Sequence, residues 1–249
     1  MRGKMRALHV DFTRSLWIRT APMRVCMCRR AAGAALVASA AGAVLVSVAL
    51  SGSSVAAALP PPRFAHSFDI GLISGVVIVK PPAGPTFRLG TEDRSIPVGS
   101  GLDTTHGAVD LRAAYAPAGG SDTKSTSIQD GHFSGGLFKV IQRRRQAGLT
   151  VLNLNTTLNP SQVCARQSAA DVARPRPRVL GLLKASVHGA FRARGRYAAA
   201  TARGTQWVMI DRCDGTLTKV MHGVVVVNDF RLHKNVSVPA GHSYLAQAA

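Results

Sequence analysis

From residue 70 onward, apolar positions recur at every second place or in runs of four or five, and Gly, Pro or Asp closes each run. That is the period of strands. Ser74–Lys80 (SGVVIVK) reads as a strand ended by Pro81-Pro82, and Thr86–Leu89 as a second one past the Ala-Gly-Pro turn. Ile96–Gly99, Leu102–Thr104 and Gly107–Ala113 follow at hairpin spacing. Residues near 117–128 are Gly, Ser, Thr and Lys without apolar periodicity, which predicts an exposed loop. Strands resume over Gly131–Gln142 and Leu149–Leu154, where β-branched content outweighs an imperfect alternation. A second loop is expected near 165–180, because Arg174-Pro-Arg-Pro-Arg178 keeps the chain extended and wet.

The last seventy residues carry the clearest pattern. Phe191–Ala202 predicts a strand pair, Thr205–Asp211 a strand, and Asp214-Gly215 the strongest hairpin turn of the chain. Thr216–Val220, Gly223–Asp229 and Asn235–Val238 complete the set. Many short strands at regular spacing imply an all-β fold, an antiparallel sandwich, barrel or roll. One domain over 70–249 is expected.

The first part of the chain is different in kind. Ala31–Leu50 contains no charge and no Pro, and eight basic residues against one acid precede it. This is the pattern of an export helix, with a basic leader over 1–30 held on the cytoplasmic side. Small residues at Ser51–Ala58 suit signal peptidase, and a Pro-rich spacer over 59–69 follows. Met27 would give an export signal of ordinary proportions, and an uncleaved anchor is the competing reading, since twenty helical residues span ~30 Å.

Charge narrows the partners. The 249-residue chain has a formal net charge of +19, and beyond residue 58 there remain 23 basic against 11 acidic residues. Such a balance favours anionic surfaces through a field that salt screens. Arg174, Arg176, Arg178, Arg192, Arg194 and Arg196 are the candidate anion-binding residues, with Gln142–Gln146 (QRRRQ) as a further contribution. Alternation over Arg192–Arg196 would put three Arg on one side of a strand, although solvated edge protection explains them too.

Catalytic chemistry finds little to work with. The chain has one Glu, Glu92, beside Asp93, and adjacent positions in an extended chain point apart. Its eight His show neither H-x-H nor H-x-x-x-H spacing, there is no G-x-S-x-G, and no Gly-rich turn opens a helix. No cofactor, no metal and no enzymatic activity are expected. A hydrolase would require Asp103, Asp110, Asp130 and His106 to gather in one cleft. Cys26 and Cys28 fall in the leader, so Cys164 and Cys213 remain as a pair for a disulfide in an oxidising compartment.

The segment Arg203–Val227 (RGTQWVMIDRCDGTLTKVMHGVVVV) combines Gly-Thr and an alternating strand with Thr-x-Val and Gly-x-Val-x-Val. It resembles the core of the FecR-like extracytoplasmic domain. Val236–Tyr244 is similar to that family's closing element, and Gly75–Lys80 with Ile96–Thr104 to its opening half. The likeness covers about residues 70–115 and 186–245. It implies a β-rich, secreted or envelope-attached module that binds an unknown protein or an anionic cell-envelope polymer. Some such modules are sensors that signal to an anti-sigma segment inside. With at most thirty residues before the apolar run, a cytoplasmic regulatory domain has no room here. A membrane-anchored ligand sensor and an unrecognised hydrolase stand as the alternatives.

Overall fold

The computed structural model describes residues 59–115, 127–146, 148–170 and 177–248. The export helix and its cleavage site, and two candidate anion-binding residues, Arg174 and Arg176, lie outside them. Within the described residues the alternation resolves into β1 (Ser67–Lys80), β2 (Phe87–Arg88), β3 (Arg94–Pro97), β4 (Gly101–Tyr115), β5 (Ser127–Ser134), β6 (Leu137–Gln142), β7 (Thr150–Asn155) and helix α1 (Pro160–Ala170). After the helix come β8 (Val179–Arg194), β9 (Ala198–Arg212), β10 (Gly215–His222), β11 (Val224–Asp229), β12 (Lys234–Pro239) and β13 (Ser243–Gln247).

Five strands close on themselves. β4 pairs with β5, β5 with β8, β8 with β7, β7 with β6, and β6 with β4 again. The all-β expectation holds and the shape is a small barrel with extra strands, but a purely antiparallel sheet is corrected: β7 and β8 run parallel. Parallel neighbours need a crossover of a dozen residues or more, and residues 156–178 supply it. Three aromatic rings fill the barrel. Phe133 lies 5.8 Å from Phe138 and 5.5 Å from Phe191, centroid to centroid, in tilted or edge contacts that suit ring quadrupoles. Buried amides close one end, where Gln129 Nε2 donates to the Gly148 carbonyl and the Thr150 hydroxyl, both at 2.8 Å. Gln142 Nε2 donates to the Ala114 carbonyl at 2.7 Å, and its Oε1 accepts the Ala65 N–H at 2.9 Å.

The remaining strands hang on the β8–β9 hairpin, which is paired from Val179↔Arg212 at its base to Arg194↔Ala199 at its tip. A straight strand as long as β9 would separate its ends by ~50 Å. Yet the N–H of Arg196, in the tip, reaches both carboxylate oxygens of Asp211, near the base, at 3.1 Å. The hairpin is therefore folded in half. The fold falls where the register breaks between Val187 and Ala190, at Gly189 with φ 123°. A Cβ there would stand 2.4 Å from that of Gln129, so a side chain would be both strained and obstructed. One half of β9 then pairs with β11 and β12 follows, while the other half pairs with β10 and β13 follows. Trp207, Met209, Ala200, Ala202, Val220, Val225, Val227 and Val238 are buried in the same core as the barrel.

Several boundaries move. β1 starts at Ser67 and buries Phe68 fully, so the end of the expected Pro-rich spacer belongs to the domain. The stretch around Cys164, expected as an extended linker, is α1, opened by Asn159-Pro160, with the Asn159 carbonyl accepting the Val163 N–H at 3.0 Å. Its weak amphipathicity hid it. The β9–β10 turn is Cys213-Asp214, with Gly215 already in β10. Cys164 and Cys213 form the expected disulfide, tying α1 to that turn across 49 positions.

Candidate functional site

Register writes two rows of side chains across six strands. Pairings place Ser237, Val226, Thr201, Arg192, Val151 and Ile141 side by side from β12 to β6. Two residues along, the second row is Asn235, Asn228, Ala199, Arg194, Asn153 and Lys139. Paired residues share a face, and the residues between them, such as Leu152, Ala193, Ala200 and Val227, are buried in the core. The rows therefore face outward. All of them but Ser237 and Lys139 line a groove of about 640 Å3, together with Arg143, Gln146 and Phe230. Five inter-strand steps of ~4.8 Å give the floor a span of ~24 Å.

The groove is cationic by composition, since its lining residues include Arg143, Arg192 and Arg194 and no acid. Thr201 Oγ1 accepts Arg192 Nε–H at 2.8 Å, which fixes that guanidinium over the first row. Arg194 stacks over the Phe230 ring, 5.1 Å from its centroid. Among the described residues neither has an acidic partner within ion-pair distance. Asn228 Nδ2 donates to Asn235 Oδ1 at 2.9 Å, and Asn153 Oδ1 is buried without a hydrogen-bond donor.

Phe230 is held from behind. Its N–H donates to the Tyr197 carbonyl at 3.0 Å, and the neighbouring Asp229 carboxylate accepts the Leu232 N–H at 2.9 Å and the Tyr244 hydroxyl at 2.8 Å. Burial raises the affinity of Asp229 for a proton, but these donors outweigh it and hold the carboxyl below its usual range. Burial and the same carboxylate push Tyr244 up.

The six candidate Arg residues distribute unevenly. Arg192 and Arg194 line the groove as alternation predicts. β8 ends at Arg194, so alternation stops there, and Arg196 lies in the hairpin tip over the Tyr197 ring at 5.6 Å. Arg178 stands at the hairpin base, its carbonyl accepting the Cys213 N–H at 3.1 Å. Arg143, from the QRRRQ run, enters the groove, whereas Gln142 turns into the barrel. The asparagines escaped the sequence reading. Their signal was available only as register, since β7 is far in the chain from β11 and β12.

The acids named for a hydrolase do not gather. Asp110 and Asp130 lie on the β4–β5 surface with His132 and His188, at 3.5 and 3.2 Å in the pairs Asp110–His132 and Asp130–His188. Burial raises Asp110, partly offset by His132 and Arg112. Asp103 lies seven residues back along β4, roughly 20 Å away, where its carboxylate accepts the Thr105 N–H. His106 is paired with Val76.

Comparison of the chain with protein-family models, characterised proteins and solved structures found no match.

Proposed function

We propose that this chain is an extracytoplasmic, FecR-like β module without a catalytic role, secreted or held at the cell envelope, whose groove binds an anionic envelope polymer. The observation that carries the reading is the convergence of Arg143, Arg192 and Arg194 on one acid-free groove. A concave cationic surface concentrates field lines and draws in polyanions from a distance. The Cys164–Cys213 bridge suits an oxidising compartment, in line with the export signal before residue 58. Solvated edge protection explains scattered charges, but β8 and β7 are interior to the sheet, paired on both sides, and need no such protection.

Retention of the purified protein on isolated cell envelopes tests this. Retention should fall with rising salt, and the double variant R192Q/R194Q should bind roughly tenfold more weakly at low salt, if each contact contributes ~0.7 kcal/mol. Equal retention of variant and wild type would remove the groove from the reading. Placement outside the cytoplasm has its own measurement: the mature N-terminus should be Ala58 or Leu59, and recovery of the intact leader in membranes would favour an anchor.

A further inference from the structure

We infer that the groove takes an anionic amphiphile, an acyl chain behind an acidic head, in preference to a wholly hydrophilic polyanion. The inference rests on the anion-binding reading above and adds the chemical class, which an acylated end of an envelope polymer would also meet. A surface shaped for charge alone has no use for bare valine beside its arginines. Yet the first row sets Val226 on one side of the Thr201–Arg192 pair and Val151 and Ile141 on the other, and all five line the groove. Val226 is 43% exposed. Two places along β11, on the same face, Val224 is 51% exposed, and Pro239 of β12 stands beside it, exposed as well.

Single exposed apolar residues need no explanation, but Val226, Val224 and Pro239 adjoin one another and continue from the cationic floor. Strand propensity does not require the valines, because threonine serves a wet strand face as well and Thr201 does so in the same row. Pro239 also protects the β12 edge, but β11 is paired on both sides and its valines protect nothing. Arg192 supplies the head site. Its Nε–H is given to Thr201 Oγ1, which fixes the guanidinium and leaves its other N–H groups for an oxyanion. Val226 lies two inter-strand steps away, ~10 Å, and Val224 is ~7 Å further along its strand. An acidic head on Arg192 therefore leaves its acyl chain a path across Val226 to the surface of Val224 and Pro239. A few placed polar groups among apolar side chains is also the ordinary make-up of a small-ligand site.

Titration calorimetry with three probes, each below its micelle concentration, tests the inference: dodecyl phosphate, glycerol phosphate and neutral dodecyl maltoside. The full-length protein should bind dodecyl phosphate about tenfold or more tightly than glycerol phosphate, the worth of burying about two methylene groups, and more tightly than dodecyl maltoside. V224T/V226T keeps β-branched side chains at two exposed positions, so it should fold, and it should bring the two phosphates within about threefold of each other. R192Q/R194Q should weaken both phosphates. Both variants retain residues 1–58, so any binding there cancels in the comparison. Co-sedimentation with phosphatidylglycerol vesicles separates the two sources of such a chain. Weaker sedimentation of V224T/V226T than of wild type assigns a membrane lipid, and equal sedimentation, with the dodecyl phosphate preference present, assigns a free acyl acid. Dodecyl phosphate binding no tighter than glycerol phosphate, or an advantage that survives in V224T/V226T, would overturn the amphiphile inference and leave the anion-binding reading in place. Phosphate binding that R192Q/R194Q leaves unchanged would end both.

Discussion

Replacing Asp211 with Ala should loosen the folded β8–β9 hairpin and, through it, the wall of the groove. The carboxylate is 4% exposed and accepts the Arg196 N–H on both oxygens and the Thr216 hydroxyl at 2.5 Å. Thr216 Oγ1 in turn accepts the Tyr197 N–H at 3.0 Å. Removing the acceptor strands one partly buried N–H, at ~1–3 kcal/mol, and disorients a hydroxyl, at ~1 kcal/mol. Relief of a buried charge returns ~1 kcal/mol, so the net loss should be about 2–3 kcal/mol. For a domain of this size that lowers the melting midpoint by about 5–10 °C. Asp211→Asn keeps one acceptor and should cost about half as much.

The pH dependence carries a definite sign. Burial raises the proton affinity of Asp211, with the Thr216 hydroxyl and Arg196 N–H offsetting only part of it. A folded pKa above the unfolded one means that the side chain contributes its full stability below the unfolded pKa and loses part of it as pH rises through the folded pKa. The deficit of Asp211→Ala against wild type should therefore be largest in acid and shrink to a plateau at neutral pH. Urea titrations of both proteins at about pH 3.5 and 7 would measure it. A deficit under ~0.5 kcal/mol at both pH values would refute the argument that this carboxylate holds tip to base.

Three further outcomes are expected. Phe191→Ala empties the centre of the barrel, where the ring is fully buried, and should cost ~3–5 kcal/mol in urea unfolding. Non-reducing mass analysis should find Cys164 joined to Cys213, and reduction should remove up to ~4 kcal/mol, given the 49-residue separation. Asp229 has its folded pKa lowered, so its contribution is present above the unfolded carboxylate pKa and lost as pH falls through the folded one. Asp229→Asn should therefore be less stable than wild type at neutral pH and lose that difference in acid.

Strand content was legible because alternation is written locally. Val225 and Val227 are buried while Val224 and Val226 are exposed, and a period of two makes that visible in one chain segment. Direction of pairing was not legible. Nothing within Thr150–Asn155 distinguishes a parallel from an antiparallel neighbour, and the helix that makes the crossover possible has almost no apolar face to announce it. The bend at Gly189 was equally hidden. His188-Gly189 looks like any turn dipeptide until Gln129, sixty positions earlier, is found against it.

The candidate site divides along the same line. Arg192 and Arg194 could be read from one strand, because two places on one strand share a face. Their meaning could not, since an arginine on a sheet is a solvated charge or a ligand contact according to what stands beside it. Here the neighbours of Arg194 are Ala199 on β9 and Asn153 on β7. Those of Arg192 are Thr201 and Val151. None is acidic, so two guanidinium groups are kept side by side without the counter-charges that an exposed sheet surface could carry at little cost. Repulsion between them at ~7 Å, two places along a strand, is tolerable in water and grows when water is displaced. An anion that displaces the water also removes the repulsion, so charge placement that mildly burdens the empty groove strengthens the occupied one.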